Sequence, residues 1–332
     1  MMFELIVAGF MFLALIFYAV TGGADYGGGM WDLLATGPRA NAQGDAIARA
    51  IGPIWEADHV WLILIIVILF TGFPPAFAGM MTALNIPFTL MLIGIVLRGS
   101  AFIFRKYDVK SEAVKQRWSI LFGAASFFTP FIQGLVLGAL STGQIRIVDG
   151  RVVSGFFVGW LTPFALACGL FALVLFAFLA ATYLTADPST ERHVQNDFRL
   201  RALWSGAVLA PIALVVFITA KEGAPAMYHG LTQWWAPLLI GTTLAFAIAA
   251  WVSLWLRRFA LARIAAIAEV TLILGGWSLA QYPRLITPDI TIFNAAAPEI
   301  TLRLLTYALA AGAVVLFPSL FFLFRVFKGK HS

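Results

Sequence analysis

Pro53 to Trp61 reads PIWEADHVW, and Leu62 to Phe70, directly after it, reads LILIIVILF. The second stretch holds no polar position, so neither an amphipathic surface helix nor a half-buried strand fits it. With its flanks it is long enough to enter a hydrocarbon layer about 30 Å thick. Glu56, Asp58 and His59 therefore stand at a membrane boundary or inside it. A carboxylate at the centre of a membrane helix costs roughly 2.5–3.5 kcal/mol on insertion scales, so these groups need partners, water or a task.

At about 100° per residue, Glu56 and His59 fall about 60° apart on a helix, while Asp58 lies nearly opposite Glu56 and nearer Trp61. The two acids then serve different surfaces. A plainer alternative leaves all three in the head-group zone, with Trp55 and Trp61 as belt aromatics.

Working outward, the 332-residue chain is 61% hydrophobic and 11% charged, where a soluble domain carries roughly 25% charge. Its mean hydropathy is +0.91. This is the composition of an all-α integral membrane protein. Apolar runs of spanning length fall at about 3–20, 53–73, 76–104, 118–140, 159–184, 203–220, 233–256, 260–282 and 302–327, which predicts nine spans. No basic residue precedes the first run, so it reads as a span rather than a cleaved signal. No linker or soluble insertion interrupts the series, and residues 1–332 read as one membrane domain.

The net charge of +6 does not point to nucleic acid, because the basic residues are scattered over short loops. Their distribution reports orientation. Loops after odd-numbered spans hold most of them, among them Arg39, Arg49, Lys110, Arg192, Arg257 and Lys330. Loops after even-numbered spans hold only Arg146, Arg151, Lys221, Arg284 and Arg303. By the positive-inside rule the amino terminus is outside and the carboxyl terminus cytoplasmic. The 53–61 motif then enters the membrane from the cytoplasmic side.

Thr21 to Asp32, TGGADYGGGMWD, places Asp25 and Asp32 beside five glycines. It fails as a phosphate loop, since no Lys-Ser/Thr pair follows. The glycines allow close helix approach or an unwound turn, and Asp25 is either a solvated loop acid or, with Glu56, the mouth of a proton path. Arg98 lies about seven residues inside the apolar run ahead of Arg105. It either snorkels to the surface or serves as countercharge for Glu56, Asp25 or an anionic group. Glu269, close to Arg263, reads as a structural acid near the cytoplasmic edge. The single cysteine, Cys168, excludes an internal disulfide and a thiolate metal cluster. No metal site is expected. Of four histidines, His193, His229 and His331 fall in loops or the tail, so only His59 could serve as a haem ligand, and a relay with Glu56 suits it as well.

Five segments together carry a resemblance: TGGADYGGGMWDLL from Thr21, IGPIWEADHVWLI from Ile51, LRGSAFIFR from Leu97, GWSLAQYPRLITP from Gly276 and NAAAP from Asn294. They resemble subunit II of the cytochrome bd-type quinol oxidases, including the cyanide-insensitive branch, over the whole chain. The resemblance implies two four-helix bundles plus one peripheral helix in a bacterial cytoplasmic membrane. It also implies a haem-bearing subunit I as partner, with haems b and d in that partner and quinol as substrate of the complex. It allows a small single-helix accessory subunit, and a structural quinone or lipid on this chain, without assigning cofactor-binding residues.

The expected function is the non-haem subunit of a terminal oxidase that reduces dioxygen to water. Glu56, Asp25, Asp58 and His59 would form a cytoplasmic proton path, Arg98 its countercharge, and Trp55 and Trp61 the packing around it. Glu56 matches the family's acid, whereas the family varies at Asp58 and His59. Where some members carry an earlier acid in the first motif, this chain has Gly22 and Gly23. A proton-coupled secondary transporter using Glu56 and Arg98 is the alternative.

Overall fold

A computed structural model describes residues 2–51, 55–107, 112–187 and 190–328. Helix α1 runs unbroken over Met2–Leu33, so the glycine-rich motif is helical throughout. It is neither a loop nor an unwound turn. The reason is contact rather than propensity. A methyl group added at Gly27 would lie 2.0 Å from the Phe176 carbonyl oxygen, and one at Gly29 would lie 2.1 Å from Ser126 Oγ. Glycine lets the backbones close to a distance at which packing outweighs its helix penalty of about 1 kcal/mol per residue.

Helix α2 (Ala40–Ile51) is amphipathic and buries Ala46 and Ile47. Helix α3 (Trp55–Gly72) is the run that follows the opening motif. Pro74 and Pro75 supply no N–H to continue it, and α4 (Pro74–Ala83) leaves at 116°. The expected third span is therefore divided: its first turns belong to α4, and α5 (Asn85–Tyr107) makes the crossing. Helices α6 (Glu112–Ser141), α7 (Pro163–Thr185), α8 (Arg192–Gly223), the short α9 (Pro225–Gly230), α10 (Ala236–Trp255), α11 (Phe259–Gln281) and α12 (Glu299–Lys328) follow. At the start of α7, Thr162 accepts a hydrogen bond from Ala165 N at 3.1 Å and Pro163 occupies the first turn, a standard start signal. Among the described residues eight helices are long and apolar enough to span, or nine if the bent α3–α4 pair is one span.

Two small antiparallel hairpins interrupt this pattern: β1 (Ile147–Val148) with β2 (Arg151–Val152), and β3 (Arg284–Ile286) with β4 (Ile290–Thr291). Asp149 and Gly150, both at positive φ, make the two-residue turn that Asp-Gly favours. Arg146 and Asp289 join the hairpins through an ion pair of 2.9 Å.

The core is divided into separate apolar clusters. One apolar cluster joins α3, α4 and α6 to the hairpins through Phe73, Leu84, Leu135 and Ile286. A second joins α1, α3, α7, α8, α10 and α11 through Tyr18, Trp61, Phe178, Leu254 and Val270. A third, around Ile47, Phe122 and Phe198, closes the end that carries α2. The candidate site lies among the helices that join the second and third clusters.

Candidate functional site

Asp25 and Asp32 are seven residues apart on α1, close to two helical turns, and so share one face. Arg98 and Arg105 have the same spacing on α5. The two pairs meet as rungs. Arg98 Nη2 is 2.7 Å from Asp25 Oδ1, and Arg105 is ion-paired with Asp32. The lower rung is partly open, with 28% of the Arg105 side chain exposed.

The upper rung is sealed, and Arg98 is 1% exposed. Its Nη2 donates to the Asp25 carbonyl at 3.1 Å and its Nε to Ser126 Oγ at 3.1 Å. The guanidinium also lies 4.7 Å from the centroid of the Tyr26 ring and 4.9 Å from that of Phe122. The side chain points into the protein and does not snorkel. A cation in such a place needs a counter-anion, because the effective cost of burying an unpaired ion is several kcal/mol.

Asp58 is the acid left over. It is 2% exposed, not solvated in a head-group layer. It lies beside Thr21, whose hydroxyl donates to the Phe17 carbonyl at 2.8 Å, and within electrostatic reach of Asp25 and Arg98. Its Oδ2 has no hydrogen-bond partner, and neither has Asp25 Oδ2. Arg98 neutralises one of two neighbouring carboxylates, so the cluster changes its net charge when one proton joins or leaves. Tyr183, with Arg263 4.6 Å from its ring centroid, also lies within electrostatic reach of Asp58.

Trp61 is 6% exposed and stacks on Phe17 at 4.4 Å, inside the protein rather than in an interfacial belt. His59 is half-buried next to Asp58 in sequence. The side chains of Trp55 and Glu56 lie outside the described residues, so the expected meeting of Glu56 with Asp25 or Arg98 has no geometry to set beside it. Glu269 lies ten residues into α11, about 15 Å along its axis, and is 5% exposed. It is at mid-helix, not at the edge, and it is buried because Ala262, Ala265 and Ala266 pack that face of α11 into the core.

Axial ligation of a haem by this chain would fall to its histidines, of which the described ones are His59, His193 and His229. His193 and His229 are exposed, and His229 is bonded to Gln233 at 2.9 Å. They form no facing pair of axial ligands. Among the described residues no three His, Cys, Asp or Glu side chains group as a metal site.

Sequence reasoning missed the Asp32–Arg105 rung. The signal was present, since Asp25 to Arg98 and Asp32 to Arg105 span the same number of residues. It also missed the polar cover at the end that carries α2. Arg39 reaches Asp197 at 2.7 Å, Gln43 donates to Asp197 at 2.8 Å, and Arg201 donates to Gln43 at 2.7 Å.

The family described as cytochrome bd terminal oxidase subunit II matches residues 3–327. A Bacillus subtilis (strain 168) protein assigned as a cytochrome bd menaquinol oxidase subunit II is 26% identical, over 97% of this chain and 93% of that one. The cytochrome bd-I ubiquinol oxidase subunit 2 of Escherichia coli (strain K12) is 30% identical over 64% of this chain and 54% of its own length. The solved bd oxidase of Geobacillus thermodenitrificans has a chain with the same fold, at a TM-score of 0.79 and 22% identity, covering 99% of this chain and 100% of that one.

Proposed function

The chain belongs to the cytochrome bd terminal oxidase subunit II family, and from that premise we propose that it conducts cytoplasmic protons toward the haem site of its partner. It is a component of a membrane quinol oxidase, an oxidoreductase complex whose other principal chain is subunit I. In this reading it holds no haem itself, stabilises subunit I, and serves a reaction in which dioxygen is reduced to water. Haems b and d sit in the partner and supply the redox chemistry. The two relatives differ in the quinol their names carry, so the quinol is left open.

The observation that carries the reading is the ladder on α1. Asp32 with Arg105 is partly open to the end covered by α2, and Asp25 with Arg98 lies about 10 Å further in beside the unpaired Asp58. Glu56 and His59 begin α3 on the same side and would deliver protons to Asp58 and Asp25. Arg98 holds the compensating charge, and Trp55 and Trp61 pack the site. In the rest of the family plan the chain is one domain of two four-helix bundles plus one peripheral helix, with the amino terminus outside and the carboxyl terminus cytoplasmic. It sits in the bacterial cytoplasmic membrane, with room for a single-helix accessory subunit and a bound lipid or quinone.

The test is Glu56→Gln in the complete complex. The amide keeps size and hydrogen-bonding atoms but cannot titrate. Haem spectra should be unchanged, and quinol oxidase turnover should fall at least about tenfold, an added barrier of about 1.4 kcal/mol. Glu56→Asp should recover part of it. Near-normal turnover in an assembled Glu56→Gln complex would remove Glu56 from the path.

A further inference from the structure

The polar groups do not stop at Asp25. Tyr26 is 1% exposed and Tyr18 is 5% exposed, and both belong to the second apolar cluster, where a phenol hydroxyl needs a partner. They find one another: Tyr18 OH donates to Tyr26 OH at 3.4 Å. From α6, Gln133 Nε2 donates to Tyr18 OH at 2.6 Å. Tyr18 is seven residues from Asp25, on the same face of α1 as Asp25 and Asp32, and about 10 Å further from the α2 end. Gln133 Oε1 is buried with no hydrogen-bond partner, as are Asp25 Oδ2 and Asp58 Oδ2. Buried acceptors in that condition cost free energy unless water satisfies them, and a water bridging two or more such groups is the ordinary remedy.

We propose that Tyr26, Tyr18 and Gln133 extend the proton path from the Asp25–Asp58 cluster toward the middle of the membrane, with bridging water at the unpartnered oxygens. This rests on the proton-path reading above and says where the proton goes next. At rest Tyr18 donates to Tyr26, so transfer away from Asp25 begins with both hydroxyls turned. Tyr26 takes a proton on its lone pair and releases its own to Tyr18, and Tyr18 releases its own to the water at Gln133 Oε1, so every hydroxyl ends with the proton count it began with. Gln133 does not itself carry the proton. It is a positioning residue that holds the Tyr18 hydroxyl with its amide N–H and a water with Oε1. The groups that face this chain are Arg98, whose guanidinium lies over the Tyr26 ring, and Asp25 behind it. Their compensated charges keep the transferred proton from being trapped at one end.

The experiment uses the complete oxidase with Tyr18→Phe, Tyr26→Phe, Gln133→Leu and Gln133→Glu, beside Asp58→Asn. Phenylalanine preserves each ring and removes only the hydroxyl. The expected result is assembled complex with unaltered haem spectra and turnover lowered about threefold or more. A larger turnover ratio between H2O and D2O should accompany it, with Gln133→Glu retaining more activity than Gln133→Leu. Wild-type turnover and isotope ratio in the two Phe variants, with Asp58→Asn impaired, would overturn this extension and leave the shorter path standing. If Asp58→Asn and Glu56→Gln were also at wild-type turnover, the underlying reading itself would fall. Failure of both Phe variants to assemble would mark the hydroxyls as structural and overturn the inference as well.

Discussion

Arg98 holds Asp25 at both ends of the residue, with the carboxylate at 2.7 Å and the backbone carbonyl at 3.1 Å. The second contact fixes the guanidinium to the main chain of α1, so the acid's position is set by helix packing and not by a flexible side-chain pair. The Asp25 charge is thereby tied up. Asp58 beside it becomes the carboxylate whose protonation alters the charge of the cluster.

A buried pair of this kind predicts an asymmetry between single and double variants. Removing one partner leaves an uncompensated buried charge and costs roughly 3–5 kcal/mol, whereas removing both can be close to neutral. Arg98→Met should therefore lower the thermal inactivation midpoint of the complex more than the double variant Arg98→Met with Asp25→Leu. Equal losses in the two would argue that Arg98 acts through packing alone.

The glycines of α1 are not equivalent. Gly27→Ala should disrupt the α1–α7 contact, since the new methyl group meets the Phe176 carbonyl at 2.0 Å, while Gly9→Ala has nothing within 4 Å and should be neutral or slightly stabilising. Yield of assembled complex and its melting midpoint measure both. A tolerated Gly27→Ala would contradict the close approach that buries Asp25.

Outside the membrane, Asp289 is held below the usual carboxylate range. Burial pulls the other way, but hydrogen bonds from Arg146 and the Ile147 N–H, and the Arg146 charge, outweigh it. A depressed folded value means stabilisation fully present above the unfolded value of 3.8 and lost as pH falls through the folded one. The melting difference between wild type and Asp289→Asn should be constant near neutral pH and vanish in acid below that range. A difference that grew on acidification would reverse the sign and refute the assignment.

Much of this architecture was legible in the sequence because a bilayer leaves few options. Unbroken apolar runs gave the spans, and family membership decides for an oxidase component over a transporter. The α3–α4 bend and the hairpins were less visible, since a run of apolar residues reads the same whether it crosses the membrane or folds back under it. For Thr21–Asp32 the close helix approach was one of the two readings and holds, whereas the unwound turn does not. Five glycines look like a loop until a neighbouring helix is there to fill the space they leave. Asp58 was ranked below Glu56 because the family varies there, and a helical wheel shows which faces differ but not which face meets α1. The Tyr18–Tyr26–Gln133 chain had no motif at all; it exists only once α1 and α6 are side by side.

Orientation has its own check. In a Cys168→Ser background, a cysteine at Arg192 should react only with reagent on the cytoplasmic side and one at Arg151 only with reagent outside, both positions being exposed. The opposite pattern would invert the ladder and place Asp32 at the wrong mouth.

The central claim, that this chain's buried acids carry protons to the oxidase reaction, is tested most directly at Asp58. The measurement is proton uptake from the cytoplasmic side during turnover of the reconstituted complex carrying Asp58→Asn, alongside its haem spectrum. The account predicts intact spectra with uptake and oxygen consumption slowed together, by about tenfold or more. Uptake at the wild-type rate in a fully assembled Asp58→Asn complex would contradict it.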